Sequence, residues 1–305
     1  MAIVKTDVPM TYGLCEQTIL NLAKTYPFLR TEVLTETDQD RKIRTLVIGN
    51  GPRSVIYSAA WHANEWITAP LLLKFVEEFA QALESGGEIF GRDAGELAAA
   101  ATIYTVPMVN PDGVDLVTGG LHPDSAAYEN AREIGEYFPA IPFPSGWKAN
   151  LNGVDLNLQF PAGWLRAREI KFSQGYDRPA PRDYVGRAPL NQQESRALAD
   201  YTAYIDPELV LAYHTQGKEI YWSFMDYEIP GARELGEKLA AVSGYALAQP
   251  AEVSSYAGYK DWFIKDFRRP GYTVEAGSGT NPLPLSQFDE IYRDNLGILV
   301  TAALG

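Results

Sequence analysis

The sequence is poor in cysteine, and it lacks any long apolar run. Cys15 is the only cysteine among 305 residues, so an internal disulfide is impossible, which suits a protein of a reducing compartment. No stretch approaches the roughly 18 apolar residues of a membrane span. The first residues, MAIVKTDVPMTYG, also lack the apolar segment of a secretory signal. We therefore expect a soluble, cytoplasmic protein without a membrane partner.

Positive charge is also scarce. The 26 lysine and arginine residues stand against 39 aspartate and glutamate residues, which gives a formal net charge of -13 at pH 7. Such a balance opposes association with the phosphate backbone of nucleic acids. We therefore expect no nucleic-acid partner, and the composition carries no signal for an oligomeric state.

The remaining composition, 46% hydrophobic and 21% charged, is that of a globular protein in which strand-like runs alternate with amphipathic segments. The apolar spacing predicts helices at 15–29, 69–83, 192–205 and 231–244. Apolar and β-branched runs predict strands at 41–50, 54–61, 101–109, 208–215 and 271–277. This alternation indicates one α/β domain over residues 1–305, with a mixed, mostly parallel twisted sheet flanked by helices.

Three other segments have less regular patterns. The turn signal Asn50-Gly51-Pro52 separates two strand-like runs and allows a hairpin between them. The NPDG sequence at 110–113 is interpreted as a structural turn. Residues 118–187 are rich in glycine, proline, asparagine and aromatics, and they predict long loops. Loops of such length in a compact domain usually carry binding or catalytic groups.

Two of the three histidines occupy positions that favour a functional site. His62 and His214 each follow an apolar strand-like run, and ligands bind beyond the carboxyl ends of strands in open α/β sheets. Glu65 lies three residues after His62, which places both side chains on one face of a helical turn. His122, in the loop GGLHPDS, is interpreted as a surface histidine.

A zinc ion that catalyses hydrolysis takes three protein ligands and keeps one position open, and His62, Glu65 and His214 supply such a set. The H-x-x-E spacing alone has low specificity, because chance matches are common. A histidine at a helix start, a surface glutamate and a hydrogen-bonded histidine at a strand end would explain the same residues without a metal.

Five segments, in chain order, give these residues a context: AAWHANEWI, VNPDGVDLV, NGVDLNLQFPAGW, AYHTQG and YTVEAGSG. Together they resemble the zinc metallocarboxypeptidase family across nearly the whole chain. The resemblance implies a carboxypeptidase-like fold and one zinc ion per chain, held by His62, Glu65 and His214, which is the ligand set of carboxypeptidase A. It also implies that Glu275 is the carboxylate that takes a proton from water and passes it to the leaving amine.

The resemblance assigns further roles around the metal. Asp155 matches the carboxylate that accepts a hydrogen bond from the first ligand histidine, although an aspartate after Asn152-Gly153 also suits a turn. Lys148 is either a solvent-exposed lysine or the replacement for a family arginine beside the developing oxyanion. Tyr256, or else Tyr259, corresponds to the mobile tyrosine of the family.

The chain departs from the digestive members of the family in the substrate site. Those members carry an Asn-Arg pair that binds the free carboxylate of the peptide terminus, whereas this sequence has Asn157-Leu158. Leucine makes no charge-assisted contact with a carboxylate, which argues against simple removal of C-terminal residues. Asn157 keeps a predicted role in substrate binding.

Several phrases, among them WKANLNGVDLN and YAGYKDWFIKDFRRPGYTVEAGSGTNPLP, are most similar to the bacterial branch that cleaves γ-D-glutamyl-diaminopimelate bonds in peptidoglycan peptides. We therefore expect a muropeptide substrate, which carries carboxylates and an ammonium group and requires a pocket with both signs of charge. The candidate arginines for the positive side are Arg166, Arg168, Arg187, Arg268 and Arg269.

Three other functions remain open at this point. An ordinary metallocarboxypeptidase would remove standard C-terminal residues. A zinc deacylase of small N-acyl amino acids would share the metal residues but match less of the middle of the chain. A cell-wall peptide-binding domain without activity would require a broken site, and the four core positions are all present: His62, Glu65, His214 and Glu275.

Overall fold

A computed structural model describes residues 2–305, and helices and strands extend throughout this part of the chain. The helices are α1 (Tyr12–Thr25), α2 (Thr68–Ser85), α3 (Ala94–Ala100), α4 (Pro111–Thr118), α5 (Ala126–Glu136), α6 (Trp164–Ser173), α7 (Gln193–Ile205), α8 (Ala232–Ser243), α9 (Tyr259–Phe267) and α10 (Phe288–Leu304). The strands are β1 (Val33–Glu36), β2 (Lys42–Arg44), β3 (Leu46–Ile48), β4 (Arg53–Ser58), β5 (Glu88–Ile89), β6 (Arg92–Asp93), β7 (Ala101–Val106), β8 (Leu209–His214), β9 (Glu219–Tyr221), β10 (Ala246–Ala248) and β11 (Gly271–Glu275). The predicted helices and strands all form with shifted boundaries, and the run at 41–50 is divided between β2 and β3. None of the helices within residues 2–305 is long and apolar enough to span a bilayer.

Seven strands of the described chain form the central sheet, in the order β10-β9-β11-β8-β4-β7-β3. The pairs β4–β7, β4–β8, β8–β11 and β9–β10 are parallel, whereas β3–β7 and β9–β11 are antiparallel. The strands β1 and β2 form a separate ladder, as do β5 and β6. The mixed, mostly parallel α/β sheet that the sequence predicts is therefore confirmed.

The central strands are buried on both faces of the sheet, and successive residues point to opposite layers. In β4, Val55 and Tyr57 pack into the core that includes α1, α2 and α10, whereas Ile56 packs into a second core with α7 and α9. The Tyr57 hydroxyl also donates to Leu299 O in α10 at 2.8 Å. Because β4 is fixed from both sides, the segment that follows it leaves the sheet from a rigid position.

The predicted hairpin between the runs at 41–50 and 54–61 is wrong. The strand β7 lies between β3 and β4, and it pairs with β3 antiparallel and with β4 parallel. The last four residues of β4 are all buried, and an apolar strand covered on both faces suits the interior of a parallel sheet. Gly51 packs against the start of β7, where a Cβ would lie 2.1 Å from the carbonyl carbon of Ala100. The turn signal is therefore real, but the two runs that it separates are not neighbours.

The segment 118–187 contains more helix than its composition predicts, because α5 and α6 lie within it. The helix α5 buries Ala131 and Gly135 and exposes most of its other residues, so it is polar overall although its few apolar residues lie on one face. Its start is marked instead by Ser125, whose hydroxyl oxygen accepts from Tyr128 N at 3.2 Å. A polar cap and the amphipathic spacing thus mark a helix that the composition of the segment hides.

Candidate metal centre

Two adjacent parallel strands end beside the candidate metal site. Because β4 and β8 pair in parallel, their carboxyl ends lie at the same edge of the sheet. His214 is the last residue of β8, and His62 follows shortly after β4. Glu65 is the last residue of a 3-10 helical turn, Ala63–Glu65, that begins directly after His62. The fold therefore brings the three predicted metal residues to one sheet edge.

The turn that carries Glu65 is held by the segment around Lys148. The backbone N of Ala63 donates to Lys148 O at 3.0 Å, and Asn64 N donates to Trp147 O at 3.1 Å. Two consecutive amides of the turn are thus satisfied by a segment that is distant in the sequence. The positions of Glu65 and Lys148 are coupled through these bonds.

Asn110 joins the same two segments from the other side. Its Nδ2 donates to Trp61 O at 3.2 Å and to Ala149 O at 3.0 Å, while its Oδ1 accepts from Gly113 N at 3.1 Å. This last bond caps α4, so the NPDG sequence is the first turn of a helix and not an isolated turn. Its role is structural, as predicted, because it fixes the backbone next to His62.

The three predicted metal residues meet at one point. His62 Nδ1 lies 3.0 Å from Glu65 Oε1, His214 Nδ1 lies 2.9 Å from Glu65 Oε2, and the two Nδ1 atoms are 3.2 Å apart. Ligand atoms about 2.0–2.1 Å from a tetrahedral zinc ion lie about 3.3 Å from one another, so these separations suit a single ion. Within residues 2–305 no second group of histidine, cysteine and carboxylate residues is clustered in this way.

Asp155 fixes the orientation of the first histidine. Its Oδ1 lies 3.0 Å from His62 Nε2, and Asn157 N and Asp183 N donate to its carboxylate at 3.2 Å. Burial alone would raise the pKa of Asp155, but the His62 imidazole and these hydrogen bonds hold that pKa well below its usual value. An ionised acceptor keeps the imidazole proton on Nε2 and leaves the Nδ1 lone pair for a metal. The donor set therefore fits zinc.

Glu275 lies beside His214 on the next strand. The two residues are register partners in the parallel pair β8–β11, and Ala276 N donates to His214 O at 2.9 Å. The Glu275 side chain lines the same cavity as the three metal residues. Burial raises the pKa of Glu275 to about 8, and the nearby Glu65 carboxylate adds to this rise while Lys148 opposes it. A carboxyl group with such a pKa can both accept and donate a proton near neutral pH.

Lys148 is a fixed charge within the site and not an exposed lysine. Its Nζ donates to Glu65 Oε1 at 2.7 Å, and only 16% of its side chain is exposed. Burial lowers the pKa of this ammonium group, but the Glu65 carboxylate reverses the effect and raises the pKa above its usual value. Lys148 therefore carries its positive charge at the metal residues throughout the neutral pH range.

The two tyrosine candidates differ in position. Tyr256 lines the cavity and packs over Gly163, where a Cβ would lie 2.7 Å from the tyrosine Cδ1. Tyr259 is fully buried, and its hydroxyl lies 2.8 Å from Thr202 Oγ1. The second choice, Tyr259, is therefore wrong, because its ring belongs to the core. Its backbone N nevertheless donates to the side-chain oxygen of Asn157 at 3.1 Å, and Asn157 lines the cavity as predicted.

The cavity that contains the site has a volume of about 690 Å³ and walls with both signs of charge. Its cations lie beside carboxylates: Lys148 beside Glu65, Lys260 beside Asp261, and both Lys171 and Arg182 beside Asp183. Such walls suit a substrate that itself carries charges of both signs.

The predicted substrate-reading arginines do not line this cavity. None of the five candidates is among the lining residues, as expected if each is a surface arginine: Arg166, Arg168, Arg187, Arg268 and Arg269. Arg269, for example, binds Asp206, and Arg268 lies over the ring of Tyr227. The arginine that does line the cavity is Arg182, which the sequence analysis missed. Its one sequence signal is its position within the irregular segment 118–187.

A candidate metal site at the ends of two parallel strands, with a carboxylate on the next strand, defines a metal-dependent hydrolase with an α/β fold. The chain matches the zinc carboxypeptidase family over residues 15–297. It is 46% identical over 289 residues to "Gamma-D-glutamyl-L-diamino acid endopeptidase 1" of Lysinibacillus sphaericus, and the match covers 95% of this chain and 71% of that protein. The chain belongs to the zinc carboxypeptidase family and is a zinc metallopeptidase.

Solved structures share the fold at low sequence identity. Carboxypeptidase A from Helicoverpa armigera has a TM-score of 0.72 at 18% identity, covering 98% of this chain and 75% of that chain. Murein-tripeptide amidase from Escherichia coli O157 has a TM-score of 0.53 at 19% identity, covering 89% of this chain and 91% of that chain. The carboxypeptidase-like fold that the sequence motifs predict is therefore confirmed.

Proposed function

We propose that this zinc peptidase hydrolyses γ-D-glutamyl-diaminopimelate bonds in peptides derived from peptidoglycan. The observation that carries the proposal is the meeting of His62, Glu65, His214 and Glu275 in one cavity whose walls hold both signs of charge. A muropeptide presents carboxylates and an ammonium group close to the scissile bond, so its recognition requires both signs. The name of the Lysinibacillus sphaericus relative, an endopeptidase for γ-D-glutamyl-L-diamino acids, supports the same substrate class.

In this mechanism His62, Glu65 and His214 hold one zinc ion, which supplies Lewis acidity that polarises a carbonyl group and acidifies water. Glu275 accepts a proton from the attacking water. It then delivers that proton to the nitrogen of diaminopimelate as the amide C–N bond breaks, so the amine leaves in neutral form. Burial raises the pKa of Glu275, which favours the step in which this carboxyl group donates its proton to the leaving nitrogen.

Lys148 and Asp155 support this chemistry in different ways. Lys148 holds a positive charge where negative charge develops on the scissile carbonyl oxygen, and it does so within a site that is mostly shielded from water. Asp155 keeps His62 in the tautomer that a metal ligand requires. Tyr256 and Asn157 contact the substrate from the cavity wall.

Leu158 separates the proposed substrate from that of the digestive carboxypeptidases. It lines the cavity next to Asn157 and offers no positive charge to a terminal carboxylate. We therefore expect cleavage within soluble muropeptides, and not removal of standard C-terminal residues. The cytoplasmic location that the sequence favours stays a prediction.

A panel of substrates identifies which bond the protein cleaves. Purified, zinc-loaded protein would be incubated with γ-D-glutamyl-diaminopimelate muropeptides, ordinary peptides with free C-termini and N-acyl amino acids, and the products identified by mass spectrometry. We expect diaminopimelate-containing products, about one zinc per chain, and loss of activity with a chelator that added zinc restores. Release of standard C-terminal residues alone, or of acyl groups alone, would contradict the proposed substrate.

Glu275→Gln tests the proposed acid and base. The amide has the same shape but cannot move the proton, so kcat is expected to fall about 100- to 10,000-fold while the zinc content stays at one per chain. His122→Gln is the matched control, because the His122 side chain is 76% exposed, and it should leave both quantities unchanged. Wild-type turnover by the Glu275→Gln variant would rule out the assigned role.

A further inference from the structure

One wall of the cavity, around Asp183, places two cations against a single carboxylate. Asp183 Oδ1 accepts from Lys171 Nζ at 2.5 Å, and Asp183 Oδ2 accepts from Arg182 Nε at 2.5 Å. Two cations therefore share the Asp183 carboxylate, and the ionised Asp155 carboxylate lies close enough to attract Arg182 as well. Of the other cavity lysines, Lys260 contacts Asp261, and Lys148 contacts Glu65, which also contacts both metal-site histidines.

The terminal nitrogens of Arg182 are available to a ligand. The contact with Asp183 uses Nε, and Nη1 and Nη2 make no hydrogen bond within the described residues, 2–305. The Arg182 side chain is 41% exposed and lines the cavity, whereas Lys171 is 8% exposed and is engaged with Asp183. The guanidinium group of a cavity-lining arginine, with its outer nitrogens not engaged by protein groups, matches the two oxygens of a carboxylate.

Backbone contacts bring Arg182 close to the proposed catalytic groups. On one side of it, Lys148 N donates to Pro181 O at 2.7 Å. On the other side, Asp183 N donates to Asp155 Oδ2 at 3.2 Å. Arg182 is thus the central residue of a short segment that is fixed to the lysine beside the metal residues and to the carboxylate that orients His62. A substrate held at the metal lies within reach of this segment.

We propose that Arg182 binds a carboxylate of the substrate and determines specificity for acidic peptides. This inference rests on the proposed function, because it names the residue that reads the acidic part of a muropeptide. The D-glutamyl α-carboxylate and the carboxylates of diaminopimelate share the chemistry that a guanidinium group recognises. Asp183 is the positioning residue, since it holds Nε and directs the outer nitrogens away from itself.

The test combines an arginine variant with substrates in which one carboxylate is neutral. Steady-state kinetics would compare L-alanyl-γ-D-glutamyl-diaminopimelate, its D-glutamyl α-carboxamide and its diaminopimelate carboxamides, with zinc-loaded wild type and Arg182→Gln. A charge-assisted contact predicts a fall in kcat/KM of about 10- to 100-fold for the variant on the full substrate, mostly through KM. One of the amides should lose activity with wild type but lose little more with the variant, because the contact is already absent.

The controls separate recognition from folding. Arg178→Gln is the matched variant, since Arg178 lies on the same loop, has a side chain that is 58% exposed and lies outside the cavity. It should retain wild-type kcat/KM. Arg182→Lys keeps the charge without the planar fork and should recover part of the lost activity. Wild-type kinetics for Arg182→Gln, or an equal loss on the full substrate and on every amide, would overturn the proposal.

Failure of the proposed function has a different signature. It appears in the wild type itself, as no release of diaminopimelate from the full tripeptide. The comparison of wild type with Arg182→Gln is then repeated on a peptide with free carboxylates that the wild type does cleave, and on the carboxamide of that peptide. A selective effect of Arg182→Gln on the free acid would sustain carboxylate recognition, and equal effects on both would end it.

Discussion

The hydrogen bonds of Asp155 make Asp155→Asn an informative test of the metal site. Oδ1 accepts from His62 Nε2 and Asn157 N, and Oδ2 accepts from Asp183 N. An amide of the same shape keeps one acceptor oxygen, but in either rotamer its NH2 group faces a donor. At least one buried donor therefore loses its partner, which lowers the free energy of unfolding by about 1–3 kcal/mol.

The second effect of Asp155→Asn is on metal affinity. The substitution removes the negative charge that holds the proton on His62 Nε2 and makes Nδ1 a stronger donor to a metal. Hydrogen-bond partners of this kind contribute about 10- to 100-fold to metal affinity, so the zinc dissociation constant should rise by that factor, or about 1.4–2.7 kcal/mol.

Both quantities can be measured separately. Competition with a chromophoric chelator gives the zinc affinity, and urea denaturation of the zinc-free protein gives the free energy of unfolding. Asp177→Asn is the matched control, because Asp177 is exposed and pairs with the exposed Arg178. Zinc affinity equal to that of the wild type in a folded Asp155→Asn variant would refute the role assigned to Asp155.

Substitutions at two further positions test the charges of buried groups. Burial raises the pKa of Glu194 from 4.5 to about 7, so the wild type loses up to about 3 kcal/mol of stability as the pH rises between these values. Glu194→Gln should remove this loss, and urea denaturation curves with the same pH dependence for both proteins between pH 4 and 8 would contradict it. Lys148→Met should lower kcat about 100-fold, because the positive charge is lost, whereas Lys148→Arg should retain most activity. Equal kcat values for the two variants in steady-state kinetics would contradict the role assigned to this charge.

The metal residues can be predicted from the sequence because each one lies next to a strong local pattern. His62 and His214 follow apolar strands that pair in parallel, and Glu65 has helical spacing from His62. Glu275 lies at the end of a strand in the same way. Parallel strands converge at one edge, so local patterns place these side chains near one another, whereas the choice of ligands and of Glu275 comes from the resemblance to the carboxypeptidase family.

Arg182 and the strand order could not be predicted, since both depend on contacts between distant segments. The direction of Arg182 is set by Asp183 and by backbone bonds to Lys148 and Asp155, which no local pattern reports. The insertion of β7 between β3 and β4 likewise depends on which strands are covered on both faces. The turn at Gly51 marks a change of direction but does not identify the partner strand.

The wide separation of the metal residues in the chain determines when the site can exist. Glu65 and His214 are 149 positions apart, and they become neighbours when β8 takes its place next to β4. During synthesis, His62 and Glu65 therefore emerge long before His214, and an unfolded chain has no preformed metal site. The complete site therefore requires the pairing of β8 with β4, so we expect tight binding of the ion only once these strands have paired.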